Sequence, residues 1–224
     1  MRLGVLVSGR GSNLEAVLRA VDGGVLADVQ PVLVVSNRAD CRALAVAAAH
    51  AIPTLVARRG DHASAAERDG ALGRALAESG AELALLAGYD QLLRRPFFDA
   101  YAGRTLNIHP SLLPRHGGRG MTGLAVHAAV LRARDAETGV TLHEVTPELD
   151  AGPILRQVRV RVLPGDIPES LAERVLAVEH DLLAGLLADL AAERGSGGMS
   201  ASMTAASGHR RVPGATQQRS LSDA

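Results

Sequence analysis

The stretch VLVSGRGSNLEAV (residues 5–17) decides the fold, because an apolar segment runs into a glycine-rich turn and then into a helical pattern. Gly9 and Gly11 permit a tight turn with close backbone approach. We expect the helix to begin near Ser12, since Ser12 and Glu15 have the spacing of a capping box. Strand, glycine turn and helix in this order form the unit from which parallel α/β sheets are built.

The turn and the helix start together form a candidate anion site. The first N–H groups of a helix have no partner within it, and its dipole is positive at that end. A dinucleotide is disfavoured as the ligand, because its fingerprint needs a third glycine where Leu14 stands and an acid where Ser36 and Asn37 stand. The pattern favours a single phosphate monoester, with a purely structural glycine turn as the alternative.

Short apolar runs alternate with helical patterns along most of the chain. This repetition predicts an α/β fold with a Rossmann-like, doubly wound and mostly parallel sheet. Two later runs, Gly139–Val145 and Ile154–Val162, follow each other closely and are expected to run antiparallel, which makes the sheet mixed. The other expected strands are 3–7, 29–35, 54–57, 83–87 and 105–108, and the expected helices are 12–21, 42–50, 61–79 and one that opens at Asp166.

The last predicted helix carries one apolar stripe from Leu171 to Leu190 that should pack on the sheet. After Arg194 the composition changes to Gly, Ser, Thr, Gln and Arg without apolar periodicity. We therefore predict one domain over residues 1–194 and a disordered, low-complexity tail over residues 195–224.

Composition limits the classes of function. The formal net charge is zero and the pI is about 7.1, so neither nucleic acid nor a membrane surface is an expected partner. The chain contains no lysine, which excludes a P-loop lysine and a lysine Schiff base. Cys41 is the single cysteine and cannot form an internal disulfide. No apolar segment approaches the ~20 residues of a spanning helix, and we expect a cytoplasmic protein.

A second informative stretch is LNIHPSLLPRHGGRGM (residues 106–121). Asn107 and His109 lie on the same side of an extended segment that Pro110 ends. A carboxamide N–H donor beside an imidazole can stabilise an oxyanion and move a proton in acyl transfer. Asp150, in ELDAGP, is the best candidate for a carboxylate that orients His109, although a structural histidine and a turn aspartate are the alternatives. The other histidines lack metal-ligand spacing, so no metal is expected.

Five segments carry a resemblance to a known family: VLVSGRGSNLEAV, LAGYDQLL, LNIHPSLLP, GVTLHEVTPELDAGPIL and ERVLAVEHDLL. From residue 1 to about residue 190 the chain resembles the glycinamide ribonucleotide formyltransferases, folate-dependent enzymes of purine synthesis. The resemblance implies the formyltransferase fold. It also implies transfer of a formyl group from 10-formyltetrahydrofolate, the cosubstrate, to the amine of 5′-phosphoribosylglycinamide by direct attack, without a metal. A monomer or a homodimer is expected.

The resemblance also implies roles for single residues. Asn107 and His109 are expected to hold and protonate the tetrahedral oxyanion, and Asp150 to keep the histidine charged and, through water, to assist proton movement from the attacking amine. The residues expected to bind the substrate, with its phosphate on the first three and its ribose on the last, are Gly11, Ser12, Asn13, Gly88, Pro110 and Glu179. The pterin is expected in a backbone-lined slot formed by Leu92, Leu93 and the loop from Val145 to Asp150.

Three features depart from the family pattern. Asp90 and Gln91 stand where members often carry Met-Arg, and the glycine-rich loop HGGRGMTG (residues 116–123), an expected mobile lid, is longer than in the shortest members. Ala65 falls near the usual arginine for the folate glutamate tail, and the substitutes are Arg58, Arg59 and Arg68. The alternative functions are a 10-formyltetrahydrofolate deformylase and a non-catalytic ligand-binding domain that keeps the phosphate loop.

Overall fold

The computed structural model describes the backbone of residues 1–204 and the side chains of residues 1–194. Its strands are β1 (Arg2–Val7), β2 (Gln30–Ser36), β3 (Thr54–Val56), β4 (Leu83–Leu86), β5 (Arg104–His109), β6 (Glu137–Glu144) and β7 (Ile154–Arg161). They form one seven-stranded sheet in the order β3-β2-β1-β4-β5-β6-β7. The first five strands are parallel, whereas β6 runs antiparallel to β5 and β7 antiparallel to β6. The predicted mixed sheet is confirmed.

Helices cover both faces of this sheet, as expected for a doubly wound fold. They are α1 (Ser12–Asp22), α2 (Arg42–Ala49), α3 (Ala65–Glu78), α4 (Arg95–Ala100), α5 (Leu124–Ala133) and α6 (Pro168–Thr204). Apolar residues of α1, α2, α5 and α6 share one buried cluster with the sheet, and those of α3 and α4 form a second cluster on the opposite face. Within the described residues no helix is long and apolar enough to cross a membrane.

The predicted start of α1 is confirmed, but its predicted capping box is wrong. Gly11 is the N-cap residue, at φ 83°, and no side chain caps the helix. The Gly11 carbonyl instead accepts the first helical hydrogen bond from the Glu15 N–H (2.8 Å), while the Glu15 carboxylate accepts from Arg42 (2.7 Å). Gly11 takes the left-handed conformation that glycine adopts readily, so the cap position has no side chain and Ser12 becomes the first helical residue.

The boundaries of other helices also differ from expectation. The helix predicted over 61–79 begins at Ala65, because Ser64 caps it by accepting the Glu67 N–H (3.1 Å). Helices α4 and α5 were missed, since six- and ten-residue helices offer little apolar periodicity.

The final helix continues to Thr204, beyond the predicted domain end, so residues 195–204 of the predicted disordered tail are helical. The rest of that predicted tail, 205–224, lies outside the described residues. The predicted apolar stripe of α6 lies in or against the core.

Candidate active site

The polar residues of the candidate site lie where the sheet changes from parallel to antiparallel. Asn107 and His109 on β5 stand opposite His143 and Thr141 on β6. The intervening residues of β5 point the other way, into the core cluster of α1 and α6. Alternation along the strand therefore places the polar side chains of both strands on one face.

The amide of Asn107 is held by a histidine that sequence reasoning missed. Nδ1 of His143 donates to the Glu144 carbonyl (2.8 Å), because a carbonyl can only accept. Burial lowers the pKa of His143, so its ring is neutral near pH 7 and Nε2 accepts from Nδ2 of Asn107 (3.0 Å). The amide is fixed in orientation, and its second N–H is free of this bond.

His109 is buried and contacts the glycine-rich loop. Its Nε2 lies 2.9 Å from the His116 carbonyl, which fixes a proton on Nε2 because the carbonyl only accepts. The Ser111 hydroxyl donates to the Arg115 carbonyl (2.7 Å), and Nε2 of His116 lies 2.6 Å from the Asp135 carboxylate. The loop that follows β5 is therefore folded back onto the histidine.

Asp150 lies in the same region but has other partners than expected. One carboxylate oxygen accepts the Gly118 N–H (2.7 Å), and the other lies 3.8 Å from Nε2 of His143. The expected contact of Asp150 with His109 is not among the polar contacts of either residue, both of which the structure describes. The glycine-rich loop supplies the reason, since it provides the hydrogen-bonding partners of both side chains.

The candidate anion site lies at the N-terminus of α1, at the carboxyl end of β1. Nδ2 of Asn13 donates to Glu179 on α6 (2.7 Å), which ties the two helices together. Both side chains are buried, and Oδ1 of Asn13 has no hydrogen-bonding partner. Burial raises the pKa of Glu179 to about 7, and the bond from Asn13 opposes that rise. Two predicted substrate residues are thus brought together beside free helix N–H groups.

The end of β4 is joined by a network of hydrogen bonds to the loop between β1 and α1, residues 8–11. The Ser8 N–H donates to the Gly88 carbonyl (3.1 Å), and the Ser8 hydroxyl accepts the Asp90 N–H (3.0 Å). Asn37 accepts from the Ser8 hydroxyl (2.7 Å) and donates to the Asp90 carboxylate (2.8 Å). Burial raises the pKa of Asp90, but hydrogen bonds from Gln91 (3.0 Å), Asn37 and Ser8 and the charge of Arg38 bring it below its ordinary value. Asp90 therefore serves as an ionised acceptor here.

The residues of the expected pterin slot differ in burial. Leu93 is 1% exposed and packs in the cluster of α3 and α4, against which Val145 also packs. Leu92 is 37% exposed. Arg68 is 1% exposed and paired with Asp69, so it is not free to hold a solvent-facing folate tail as expected. Arg58 and Arg59 are exposed.

A metal site has no support in the described part of the chain, where no group of three or more His, Cys, Asp or Glu side chains is arranged to hold an ion. The chemistry available is that of amide, imidazole and carboxylate groups. Pro110, which follows β5 directly, and Gly88 flank this set at the same sheet edge.

Comparison with known proteins identifies the family of this chain. The family model described as formyl transferase matches residues 1–187. The chain belongs to the formyl transferase family. A structure of glycinamide ribonucleotide transformylase 1 from Symbiobacterium toebii superposes with a TM-score of 0.80 at 36% identity, covering 87% of this chain and 89% of that one. Phosphoribosylglycinamide formyltransferase from Brucella melitensis gives a TM-score of 0.76 at 41% identity, over 85% and 95% of the two chains.

Sequence relatives differ in how much of their length is matched. Chloroplastic phosphoribosylglycinamide formyltransferase from Arabidopsis thaliana is 42% identical over 86% of this chain and 66% of that protein. The trifunctional purine biosynthetic protein adenosine-3 of Gallus gallus is 41% identical over 80% of this chain, which spans only 17% of its length. Phosphoribosylglycinamide formyltransferase from Haemophilus influenzae is 35% identical over 81% and 82% of the two chains. This formyl transferase therefore matches the bacterial relative over most of both chains.

Proposed function

We propose that this formyl transferase moves the formyl group of 10-formyltetrahydrofolate to the amine of 5′-phosphoribosylglycinamide, giving formylglycinamide ribonucleotide in purine synthesis. One observation carries the proposal. The anion site at the carboxyl end of β1 and the Asn107–His109 pair at the end of β5 lie at one edge of the sheet, separated only by β4. A phosphorylated substrate held at the first would extend toward the second. The names of the bacterial relatives support the same reaction.

The phosphate fits the start of α1. The N–H groups of Ser12 and Asn13 belong to the first helical turn, and the first bonded donor is the Glu15 N–H. The unpartnered Oδ1 of Asn13 is a buried polar atom that a ligand donor can satisfy. Glu179 offers a carboxylate to the ribose hydroxyls from the opposite helix.

The reacting groups fit the seam between β5 and β6. The amine nitrogen bonds to the formyl carbon, the bond from that carbon to N10 of the donor breaks, and one proton passes from the amine to N10. Asn107 donates its free N–H to the developing oxyanion, since His143 fixes the other. His109 is the second donor and proton carrier, which requires the His116 carbonyl to release Nε2. Asp150 acts on the amine proton through water.

The donor itself fits the segment from Gln91 to Leu93 and the loop that begins at Val145. Leu93 and Val145 pack against one apolar cluster, so the two sides of the slot are anchored to a common base. The donor supplies the formyl group when bound. Backbone groups of the segment are the polar partners for the pterin. Cytoplasmic location and a monomeric or dimeric state stay predictions.

The test is a two-substrate assay. Purified protein is mixed with 10-formyltetrahydrofolate and the ribonucleotide, the absorbance change on loss of the formyl group is followed, and the assay is repeated without the ribonucleotide. We expect turnover only with both substrates. Turnover without the ribonucleotide would identify a deformylase instead, and absence of turnover in both would favour a ligand-binding domain.

A further inference from the structure

A buried ion pair lies on α3, behind the expected pterin slot. Arg68 is 1% exposed and Asp69 is fully buried, and the guanidinium donates twice to one carboxylate oxygen, from Nε (3.0 Å) and from one terminal nitrogen (2.6 Å). Burying two charges costs desolvation energy that the pair itself repays only with further hydrogen bonds. The partners that supply those bonds therefore indicate what the pair organises.

The remaining hydrogen bonds of this pair all go to the slot segment, residues 91–94. Arg68 donates to the Gln91 side-chain oxygen (3.2 Å) and, over a longer distance, to the Leu92 carbonyl (3.4 Å). The second oxygen of Asp69 accepts the backbone N–H of Arg94 (3.0 Å) and its guanidinium (3.2 Å). The pair therefore forms hydrogen bonds with the residues on both sides of Leu92 and Leu93.

We propose that Arg68 is a positioning residue for the folate donor, which acts through Gln91 and the Leu92 carbonyl to fix the backbone of the pterin slot. This inference rests on the proposed function. No arginine precedes Arg94 in the slot segment. The guanidinium that contacts the Leu92 carbonyl therefore comes from Arg68 on the neighbouring helix α3. The Arg94 backbone N–H donates to Asp69 and not to Arg68, so we expect the far end of the segment to stay attached when Arg68 is replaced.

The test compares Arg68→Gln with Arg74→Gln, which makes the same change at an exposed position of the same helix. We expect Arg68→Gln to raise KM for 10-formyltetrahydrofolate by about tenfold or more while KM for the ribonucleotide changes by less than about twofold. Calorimetric binding of the unreactive analogue 5,8-dideazafolate should weaken by a similar factor. Arg74→Gln should leave all three quantities at the wild-type values.

A reciprocal exchange separates positioning from general stability. The double variant Arg68→Gln/Gln91→Arg exchanges the two side chains, so the guanidinium is carried by the slot segment instead of α3. We expect this exchange to restore most of the affinity for the analogue. If Arg68→Gln does not fold, Gln91→Ala removes one partner of Arg68 and should by itself weaken analogue binding about threefold.

Equal rises in both KM values, or unchanged analogue affinity in a folded Arg68→Gln or Gln91→Ala variant, would overturn the role of Arg68. Failure of the double variant to recover affinity would also contradict it. Wild-type protein that binds no folate analogue would overturn the inference together with the proposed donor, whereas normal wild-type binding with unaffected variants would overturn the inference alone.

Discussion

At the scale of single residues, the site is organised by carbonyl groups that fix where protons lie. The Glu144 carbonyl takes the Nδ1 proton of His143 and thereby turns Nε2 into an acceptor for Asn107. The His116 carbonyl takes the Nε2 proton of His109. One histidine therefore orients an amide, whereas the other holds a proton against the glycine-rich loop.

Replacing His109 tests its place in the chemistry. We expect His109→Ala to lower kcat by roughly 100- to 10,000-fold with KM for both substrates nearly unchanged, because the proton carrier is lost and the binding groups remain. Steady-state kinetics measures this, with His50→Ala as a control at the end of α2. A variant within about threefold of the parent would remove His109 from the mechanism.

Because of Glu179, we expect stability to fall and ribonucleotide binding to strengthen as the pH rises. Its folded-state pKa is raised to about 7 by burial, so its contribution to stability is complete below its ordinary value of 4.5 and is lost as pH rises through about 7. The loss is on the order of 3 kcal/mol. Urea unfolding at about pH 5 and about pH 8 should show a steeper fall for wild type than for Glu179→Gln.

Binding of the ribonucleotide should change in the other direction. The ionised Glu179 is the better acceptor for ribose hydroxyls, so we expect KM for the ribonucleotide to fall as pH rises through about 7 in wild type and to stay level in Glu179→Gln. Parallel profiles in the two proteins would show that another group governs the titration.

The sequence predicts site residues that lie within one short motif. It does not predict those that join the site through contacts between distant parts of the chain. Asn107 and His109 lie two positions apart, and strand alternation alone places them on one side. His143 lies beside them only because β6 pairs with β5 in one particular register, and no local sequence pattern predicts that register. Arg68 was misjudged for a similar reason, since an arginine on a helix is usually solvated and its burial depends on Asp69 and residues 91–94.

At the scale of elements, the start of α1 depends on one backbone conformation. Gly11 has φ +83°, and a Cβ built there would lie 2.7 Å from the Ala43 Cβ on α2. Gly9, two residues earlier in the same loop, has open space around it and no positive φ. The two glycines therefore form a matched pair for substitution.

We expect Gly11→Ala to weaken ribonucleotide binding about tenfold or more and to destabilise the fold by about 1–3 kcal/mol, because strain and the collision with Ala43 displace the N–H groups of the helix start. Gly9→Ala should change neither quantity appreciably. Substrate KM and thermal unfolding of both variants provide the measurement. Equal behaviour of the two variants would place the phosphate elsewhere.

Element types were predictable where patterns were long, and boundaries were less so. The strand–helix alternation of β1 to β4 follows from apolar runs, and the antiparallel pair from the short connection between Gly139–Val145 and Ile154–Val162. The capping-box prediction is wrong because the cap position falls on Gly11, a left-handed residue with no side chain that could accept a helix N–H. Helix α4, with six residues, lacks the length at which periodicity becomes visible.

At the scale of the whole molecule, the extent of the core predicts the shortest chain that can fold. Among the side chains that the structure describes, the last member of the main core cluster is Ala191, and Arg194 pairs with Glu82 (3.0 Å). We expect a chain that ends at residue 194 to keep the activity and, within about 3 °C, the melting temperature of the full chain. A chain that ends at residue 180 loses Leu183 and Leu187 from the core and should not fold.

Circular dichroism and the two-substrate assay on both truncated chains give the answer. A shorter chain of 194 residues that melts far below the full one would show that the part of α6 after Arg194 contributes to the fold. That result would move the domain boundary toward Thr204, where the described helix ends.

The two faces of β5 serve different demands, since Leu106 and Ile108 lie in the core while Asn107 and His109 face the site. Saturation mutagenesis along this strand, read out separately as cellular protein abundance and as growth without external purines, should alternate with a period of two. Core-facing positions should lose abundance and growth together. Site-facing positions should lose growth while the protein accumulates normally, so a single strand would record stability and chemistry as two interleaved signals.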